Sequence, residues 1–307
     1  MKILITGGSG FIGSHLAEHF QGKADVRILD NLRTGHRENL KGLDVEFIEA
    51  SILDRDAVKT AVHGVDYIFH LAAMISVAES MDKPIECVDL NVRGLLNVLE
   101  EASEANVTKL CLSSSAAIYG NNPTVPKIET MLPEPASPYA ITKLDGEYYC
   151  DLFQKTGRLN TACLRFFNVF GPRQDPASAY AAAVPIFIDK AFRNEPITIF
   201  GDGEQTRDFV FVKDIAAANA FLAMNPELSG VYNVGHGQQI SINELANLII
   251  KIADSTSTVQ HHPVRAGDVK HSRASADKLF NTGFKPGYDF ESGLRETLAY
   301  FQNKQKA

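Results

Sequence analysis

Tyr139 and Lys143 stand four residues apart in the stretch PASPYAITKLDGEYYC, directly after the pair Ser137-Pro138. Serine caps helices well and proline suits the first helical position, so a helix is expected to begin here with Tyr139 in its first turn. Residues i and i+4 share a helix face, which puts the phenol beside the ammonium. Such a pair can move a proton. A free phenol ionises near ~10, and bringing that to roughly 7 takes about 4 kcal/mol of preferential stabilisation of the phenolate. The Lys143 charge and the positive end of the helix both act in that direction. By itself the pair also fits an ordinary exposed helix face, and only its surroundings decide between the two.

Those surroundings begin at KILITGGSGFIGSHL, where a short apolar run meets Gly7, Gly10 and Gly13 and then a segment of helical period. Glycines allow a tight turn and let backbone N–H groups approach a pyrophosphate at the N-terminal end of the following helix. With a strand before it and a helix after it, the turn reads as a dinucleotide site. Asp30 closes the next apolar run, where a carboxylate accepts from both ribose hydroxyls and repels a 2′-phosphate; the expected cofactor is therefore NAD. Arg33 and Arg37 are near enough in sequence to reverse that preference. An oxidised nicotinamide ring would add a third positive field beside Tyr139.

The elements that must position these groups follow from periodicity. Segments 2–6, 26–30, 45–49, 67–71 and 109–112 read as buried strands, and 14–21, 55–63 and 85–105 as helices. This alternation implies an α/β fold, a Rossmann-type doubly wound parallel sheet with ligands at the carboxyl ends of its strands. After about residue 170 the pattern breaks into GPRQDP, FGDGEQTRD and GHGQQISINEL, the punctuation of a smaller α/β lobe. The expected division is a dinucleotide domain over 1–170, joined by part of 205–235, and a lobe over 171–307 that mainly holds substrate.

Composition narrows the partners. A formal net charge of −7 with no basic cluster argues against a nucleic-acid surface and for a small molecule. The run Ile3-Leu4-Ile5 behind Lys2 is too short for a signal peptide or a membrane span, so the reading is of a cytoplasmic protein without a membrane partner. Cys87, Cys111, Cys150 and Cys163 form no CxxC and fall mostly in apolar segments, as buried free thiols do. Of nine histidines only His261 and His262 are adjacent, and neither HExxH nor a Cys/His spacing suggests a metal.

The glycine pattern, the run CLSSSAAIYG and the Tyr139–Lys143 spacing together resemble the extended short-chain dehydrogenase/reductases, and within them the chain is similar to the UDP-sugar 4-epimerases. The likeness runs from Lys2 to about Tyr300 and rests in the second half on LRFFNVFGPRQDP, FGDGEQTRDFVFV and PVRAGDVKHS. It implies a C4 epimerisation of a UDP-hexose through a 4-keto sugar, with Tyr139 as base, Lys143 as its cationic neighbour and Ser115 bonded to the reacting hydroxyl. Ser115 otherwise fits a strand-end cap. The resemblance further implies NAD contacts from Gly7, Gly10, Phe11, Ile12, Gly13, Asp30, Asn31, Ser51, Ile52, Leu71, Ala72, Ala73, Ser113, Tyr139, Lys143 and Phe166. For the UDP-sugar it implies Ser76, Ser115, Asn168, Val184, Ile199, Phe200, Arg207, Arg265, Asp268 and Ser272, and it implies a homodimer paired through segment 85–105 and the helix of Tyr139. As surface ion pairs the arginines would mean little.

Three departures or choices sharpen this. The adenine-binding aspartate of the family is replaced by Ser51 in FIEASILD, and Asp54, three residues on, does not fill that place. Family members that eliminate water or decarboxylate carry an extra acid/base after the serine; here Ala116 and Ala117 stand there. Ser272 stands where a bulky aromatic would exclude a 2-N-acetyl group, so UDP-GlcNAc and UDP-GalNAc are expected substrates, with UDP-Glc and UDP-Gal alongside. A UDP-glucuronic acid 4-epimerase and a non-catalytic NAD sensor are the competing readings.

Overall fold

The structure, a computed structural model, describes residues 1–176, 183–264 and 270–306. The chain alternates from β1 (Lys2–Thr6) and α1 (Phe11–Phe20) through β2 (Asp25–Asp30), β3 (Val45–Glu49), α2 (Arg55–Val62) and β4 (Tyr67–His70). Then come α3 (Val77–Asp82), α4 (Pro84–Val88), α5 (Gly94–Glu104), β5 (Lys109–Ser115), α6 (Pro138–Lys155) and β6 (Asn160–Phe166). The second half holds β7 (Asn168–Phe170), α7 (Ala183–Phe192), β8 (Ile197–Phe200), β9 (Thr206–Arg207), β10 (Phe209–Phe211) and α8 (Val212–Met224). It ends with β11 (Gly230–Val234), β12 (Ile240–Ser241), α9 (Ile242–Ile252), β13 (Val259–His262), α10 (Asp277–Phe280) and α11 (Phe290–Lys306).

Seven strands pair in the order β11-β6-β5-β4-β1-β2-β3, all parallel. A parallel sheet must be covered on both faces, and β1 shows how: Ile3 and Ile5 join one core with Leu16 of α1 and Leu222 of α8, while Leu4 joins the other with Val58 of α2 and Leu99 of α5. A third core, with Phe170, Ile188, Phe211, Leu245 and Leu294, fills the second half beside three two-stranded ladders. The strand order reverses between β1 and β4, which opens a crevice at their carboxyl ends.

The expected strands and helices are present, with differences at their ends. β5 runs to Ser115 because its last residues, though polar, are bonded to α6. The segment expected as one helix over 85–105 is helical without a gap from Pro84 to Glu104 and carries a π turn at Asp89–Arg93, beside which Gly94 passes so close to Ile52 that a Cβ would sit 2.5 Å from its Cδ1. All four cysteines are free and buried. Among the described residues no helix is long and apolar enough to cross a membrane.

Candidate active site

The glycine turn is built for a close approach. Gly7 has φ +72°, and a Cβ there would lie 2.7 Å from the backbone nitrogen of Ala72, beyond β4. A Cβ on Gly13 would come within 2.3 Å of the Gly7 carbonyl oxygen, so α1 could not seat against the turn. Gly10 is the N-cap and carries no side chain over the helix N-terminus. Leu71, Ala72 and Ala73 follow β4, with the Leu71 and Ala72 amides donating to Thr6 at 3.0 and 3.3 Å. Phe11 and Ile12 open α1.

Asp30 ends β2 with 8% exposure; its Oδ2 accepts from the Ser9 amide at 2.9 Å and its Oδ1 from the Leu32 amide at 2.8 Å. These bonds fix the carboxylate at the crevice, beside exposed Asn31. Arg33 is committed to Glu79 and Glu86 at 2.7 and 2.9 Å, and Arg37 lies 4.0 Å over the Phe47 ring. Neither arginine is left to favour a 2′-phosphate, which agrees with NAD. Ser51 accepts from the Leu53 amide, Ile52 is buried, and Asp54 caps α2 through the Ala57 amide. Asp54 is thus occupied as a cap. The hydroxyl of Ser113 is buried without a hydrogen-bond partner, next to Lys143, as a group made to meet a ligand would be. Together the open cradle, the fixed carboxylate and this unpaired hydroxyl fit a dinucleotide.

Ser137 and Pro138 start α6 as expected, the Ser137 hydroxyl accepting from the Ala140 amide. Tyr139 is partly buried in the first turn, its amide donating to the Ser80 hydroxyl at 3.2 Å. Lys143 is buried; its Nζ lies 5.9 Å from the Tyr139 ring centroid and donates to the Ser113 carbonyl at 2.7 Å. Ser115, at the end of β5, caps the 3₁₀ turn Ala116–Tyr119 through the Ala117 amide and stands close enough to the Tyr139 phenol to favour its ionised form. The strand-end cap is therefore present, and it stands beside the phenol. Phe166, the cross-strand partner of Ser115, closes β6 at the same level.

The charge states differ from the simple expectation. Burial holds the Tyr139 phenol above its ordinary value, opposed by the nearby Ser115 hydroxyl, so the two positive fields do not by themselves yield a phenolate. Burial also lowers the Lys143 ammonium from 10.5 to about 8. His70, at the end of β4, is pushed down to about 3 by burial and then by the Lys143 charge, and its Nδ1 lies 2.9 Å from the Thr6 hydroxyl. It is a neutral neighbour.

All but Ser76 of the other expected sugar-nucleotide residues lie in the second half. Asn168, in β7, donates through Nδ2 to the Asp208 carbonyl at 3.2 Å. Arg207 ends β9, and the Ser272 amide donates to the neighbouring Thr206 carbonyl at 3.1 Å, which brings Ser272 to the same ladder. Val184 and Ile199 are within the third core, each 1% exposed, so their main chain is what they offer a ligand; Phe200 follows at the end of β8. Ser76 caps α3 through the Glu79 amide. Arg265 and Asp268 lie outside the described residues.

Several residues escaped the sequence reading. Asp208, fully buried, accepts from the His236, Gly237 and Ala274 amides, each at 2.9 Å, and so ties the Arg207 strand to two loops. Asn91, at the π turn, bonds both main-chain groups of Met74 and the Thr142 hydroxyl beside Lys143. Glu147 and Arg165 form a buried ion pair behind Ser114. A lone Asn or Asp in an apolar segment carries no spacing signal, but Glu147 repeats the four-residue step from Tyr139 to Lys143. Among the described residues no three His, Cys, Asp or Glu side chains gather as a metal site.

The model of the NAD dependent epimerase/dehydratase family matches residues 3–235. The chain belongs to this family: it is an NAD-dependent enzyme with the extended short-chain dehydrogenase/reductase architecture. Its solved relatives include the UDP-N-acetylglucosamine 4-epimerase of Methanobrevibacter ruminantium in complex with UDP-N-acetylmuramic acid, 39% identical over 99% of this chain and 98% of that one, with a TM-score of 0.94. The UDP-glucose 4-epimerase of Thermotoga maritima with UDP-glucose is 39% identical over 99% of this chain and 100% of that one, TM-score 0.93. The UDP-glucose 4-epimerase of Thermus thermophilus in complex with NAD is 36% identical over 98% and 99%, TM-score 0.90.

Proposed function

We propose that the protein interconverts the C4 epimers of a UDP-hexose, taking UDP-GlcNAc and UDP-GalNAc and also UDP-Glc and UDP-Gal. The observation that carries this reading is the meeting of Tyr139, Lys143 and Ser115 at the edge where the glycine turn opens, followed by a turn built of Ala116 and Ala117. Bound NAD supplies a hydride acceptor for C4 and a positive ring near the phenol. Ser115 orients the 4′-hydroxyl toward Tyr139, and Tyr139 as phenolate takes its proton, leaving a 4-keto sugar. Lys143 keeps the phenolate charged. After the sugar turns over, C4 would take the hydride back on its other face while Tyr139 returns the proton to the 4-oxygen, which leaves the cofactor oxidised again. Ala116 and Ala117 have no proton to exchange, so elimination and decarboxylation have no agent there. Asn168, Arg207 and the lobe over 171–307 hold the nucleotide diphosphate, and Ser272 leaves room for the N-acetyl group.

A homodimer completes the reading. Met81, Ile85 and Val88 on α3 and α4, and Ile141, Tyr148 and Leu152 on α6, are 46–78% exposed, more apolar surface than one helix layer leaves in water without a partner. Light scattering should give twice the chain mass, and Ile85→Glu should give the monomer. The function itself is tested by incubating the protein with UDP-GlcNAc and, separately, UDP-Glc, without added reductant, and resolving the C4 epimers by proton NMR. UDP-GalNAc and UDP-Gal are expected. UDP-Gal alone would remove the role given to Ser272, and no epimer from either would overturn the proposal.

A further inference from the structure

Tyr139, Lys143 and Glu147 lie on one face of α6 at four-residue steps, and each holds one of the last three residues of β5. The Tyr139 phenol stands beside Ser115, Lys143 donates to the Ser113 carbonyl at 2.7 Å, and Glu147 accepts from the Ser114 hydroxyl at 2.5 Å. The third contact is the most heavily braced. Arg165 is the cross-strand partner of Ser114 on β6, and its guanidinium grips the same carboxylate through Nε at 2.9 Å and through its second nitrogen at 2.7 Å. Glu147 and Arg165 side chains are each 4% exposed. Arg165 also donates to the Tyr119 hydroxyl at 2.9 Å, at the far end of the turn that starts from Ser115. The Tyr119 hydroxyl in turn donates to Asn233 on β11 at 2.6 Å. The Ser115 turn is thereby held from before, through Ser114, and from behind, through Tyr119.

We propose that Glu147 is a positioning residue: clamped by Arg165, it fixes Ser114 and so sets the mutual geometry of Ser115, Tyr139 and Lys143. This rests on the reaction proposed above. A buried ion pair is poor evidence of stabilisation in itself, since desolvation offsets the attraction, so its place against Ser114, next in the chain to Ser115, asks for another role. The carboxylate also faces Lys143 electrically. The groups around that ammonium are Tyr139 and Glu147 on α6, Cys87 on α4, Cys163 and Arg165 on β6, and His70 at the end of β4; Cys87, Cys163 and Glu147 raise its proton affinity against the larger effect of burial.

The test uses Ser114→Ala, Glu147→Gln and the pair E147Q/R165M, each in the full chain with NAD, read by kcat, KM, thermal midpoint and the pH profile. Ser114→Ala removes one rung and leaves the ion pair intact. It is expected to lower kcat about 10-fold with KM for the UDP-sugar and the thermal midpoint near wild type, the mark of a small displacement of reacting groups. Glu147→Gln leaves the buried Arg165 charge without its carboxylate, so Lys143 loses its proton more readily and the alkaline limb of kcat moves to lower pH. In E147Q/R165M the limb returns while kcat stays low. Wild-type kcat and an unmoved limb in Ser114→Ala and Glu147→Gln would overturn the proposal. So would a fall in kcat that comes only with an equal fall in thermal midpoint. If Glu147→Gln does not fold, Ser114→Ala decides alone. Titrating the Tyr139 absorbance in NAD-bound protein without sugar keeps the two ideas apart: a wild type that epimerises nothing, with a titration still displaced in Ser114→Ala, sinks the reaction and leaves the positioning role standing.

Discussion

Two lysine ammonium groups are buried at opposite ends of β5. Lys109 starts the strand and donates to the Leu222, Asn225 and Leu228 carbonyls at 2.6, 2.9 and 2.6 Å, closing the C-terminal end of α8. Lys143 reaches the other end from α6 and donates to the Ser113 carbonyl. An ammonium has three donors. At Lys109 all three meet carbonyls, two at the negative end of α8 and one in the turn beyond it, and the charge is architecture. Lys143 meets one carbonyl beside a phenol and the unpaired Ser113 hydroxyl, and its charge has capacity left for a ligand. Burial lowers the proton affinity of both. Saturation of the donors, more than burial, separates the lysine that holds the fold from the one proposed to act on the phenol.

Lys143→Met should break the comparison hardest: activity falls by about 100-fold or more while the chain still folds, as kcat and a thermal melt would show. Lys109→Met should do the reverse, costing about 3 kcal/mol in chemical denaturation by stranding three carbonyls, with kcat per folded molecule unchanged. The pH dependence sharpens the contrast. Lys143 binds its proton with an affinity of about 8 in the folded chain and 10.5 in the unfolded one. Between those values the unfolded chain holds a proton that the folded one has released, so this group's contribution to stability rises with pH by up to about 3 kcal/mol across that window. Denaturation curves at several pH values should show a rise in the wild type that is smaller in Lys143→Met, where the Lys109 contribution remains.

Asp208 belongs with Lys109, its carboxylate saturated by three amides. Asp208→Asn turns one accepting oxygen into a donor facing amide donors, and a loss of about 2 kcal/mol with a raised KM for the UDP-sugar is expected. The smallest effect is at the cofactor. Removing both carboxylates that hold Arg33, as E79Q/E86Q, should strengthen NADP binding by about 3-fold in a fluorescence titration, because exposed ion pairs are worth little.

Much of the first half was legible because its chemistry is periodic or local. The strands of the sheet are apolar runs, the glycine turn is one stretch of sequence, and Ser137-Pro138 announces α6 together with the face that carries Tyr139 and Lys143. β5 was read short at Leu112 because Ser113, Ser114 and Ser115 break the apolar run; they remain in the strand through bonds to residues about thirty positions away. Asp208 and Asn91 were invisible for the same reason, since their partners are main-chain groups that only the folded chain brings near. Arg33 and Arg37 show the converse. Sequence placed them beside Asp30, and their distant partners Glu79, Glu86 and Phe47 decide what they do.

The most direct measurement is the ultraviolet titration of Tyr139 in the NAD complex, taken as the difference between wild type and Tyr139→Phe. If the Lys143 ammonium retains capacity for the phenolate, Tyr139 ionises well below its ordinary value of ~10 with NAD bound and above it in Lys143→Met. A wild-type phenol that titrates at or above ~10 in the NAD complex would contradict the account.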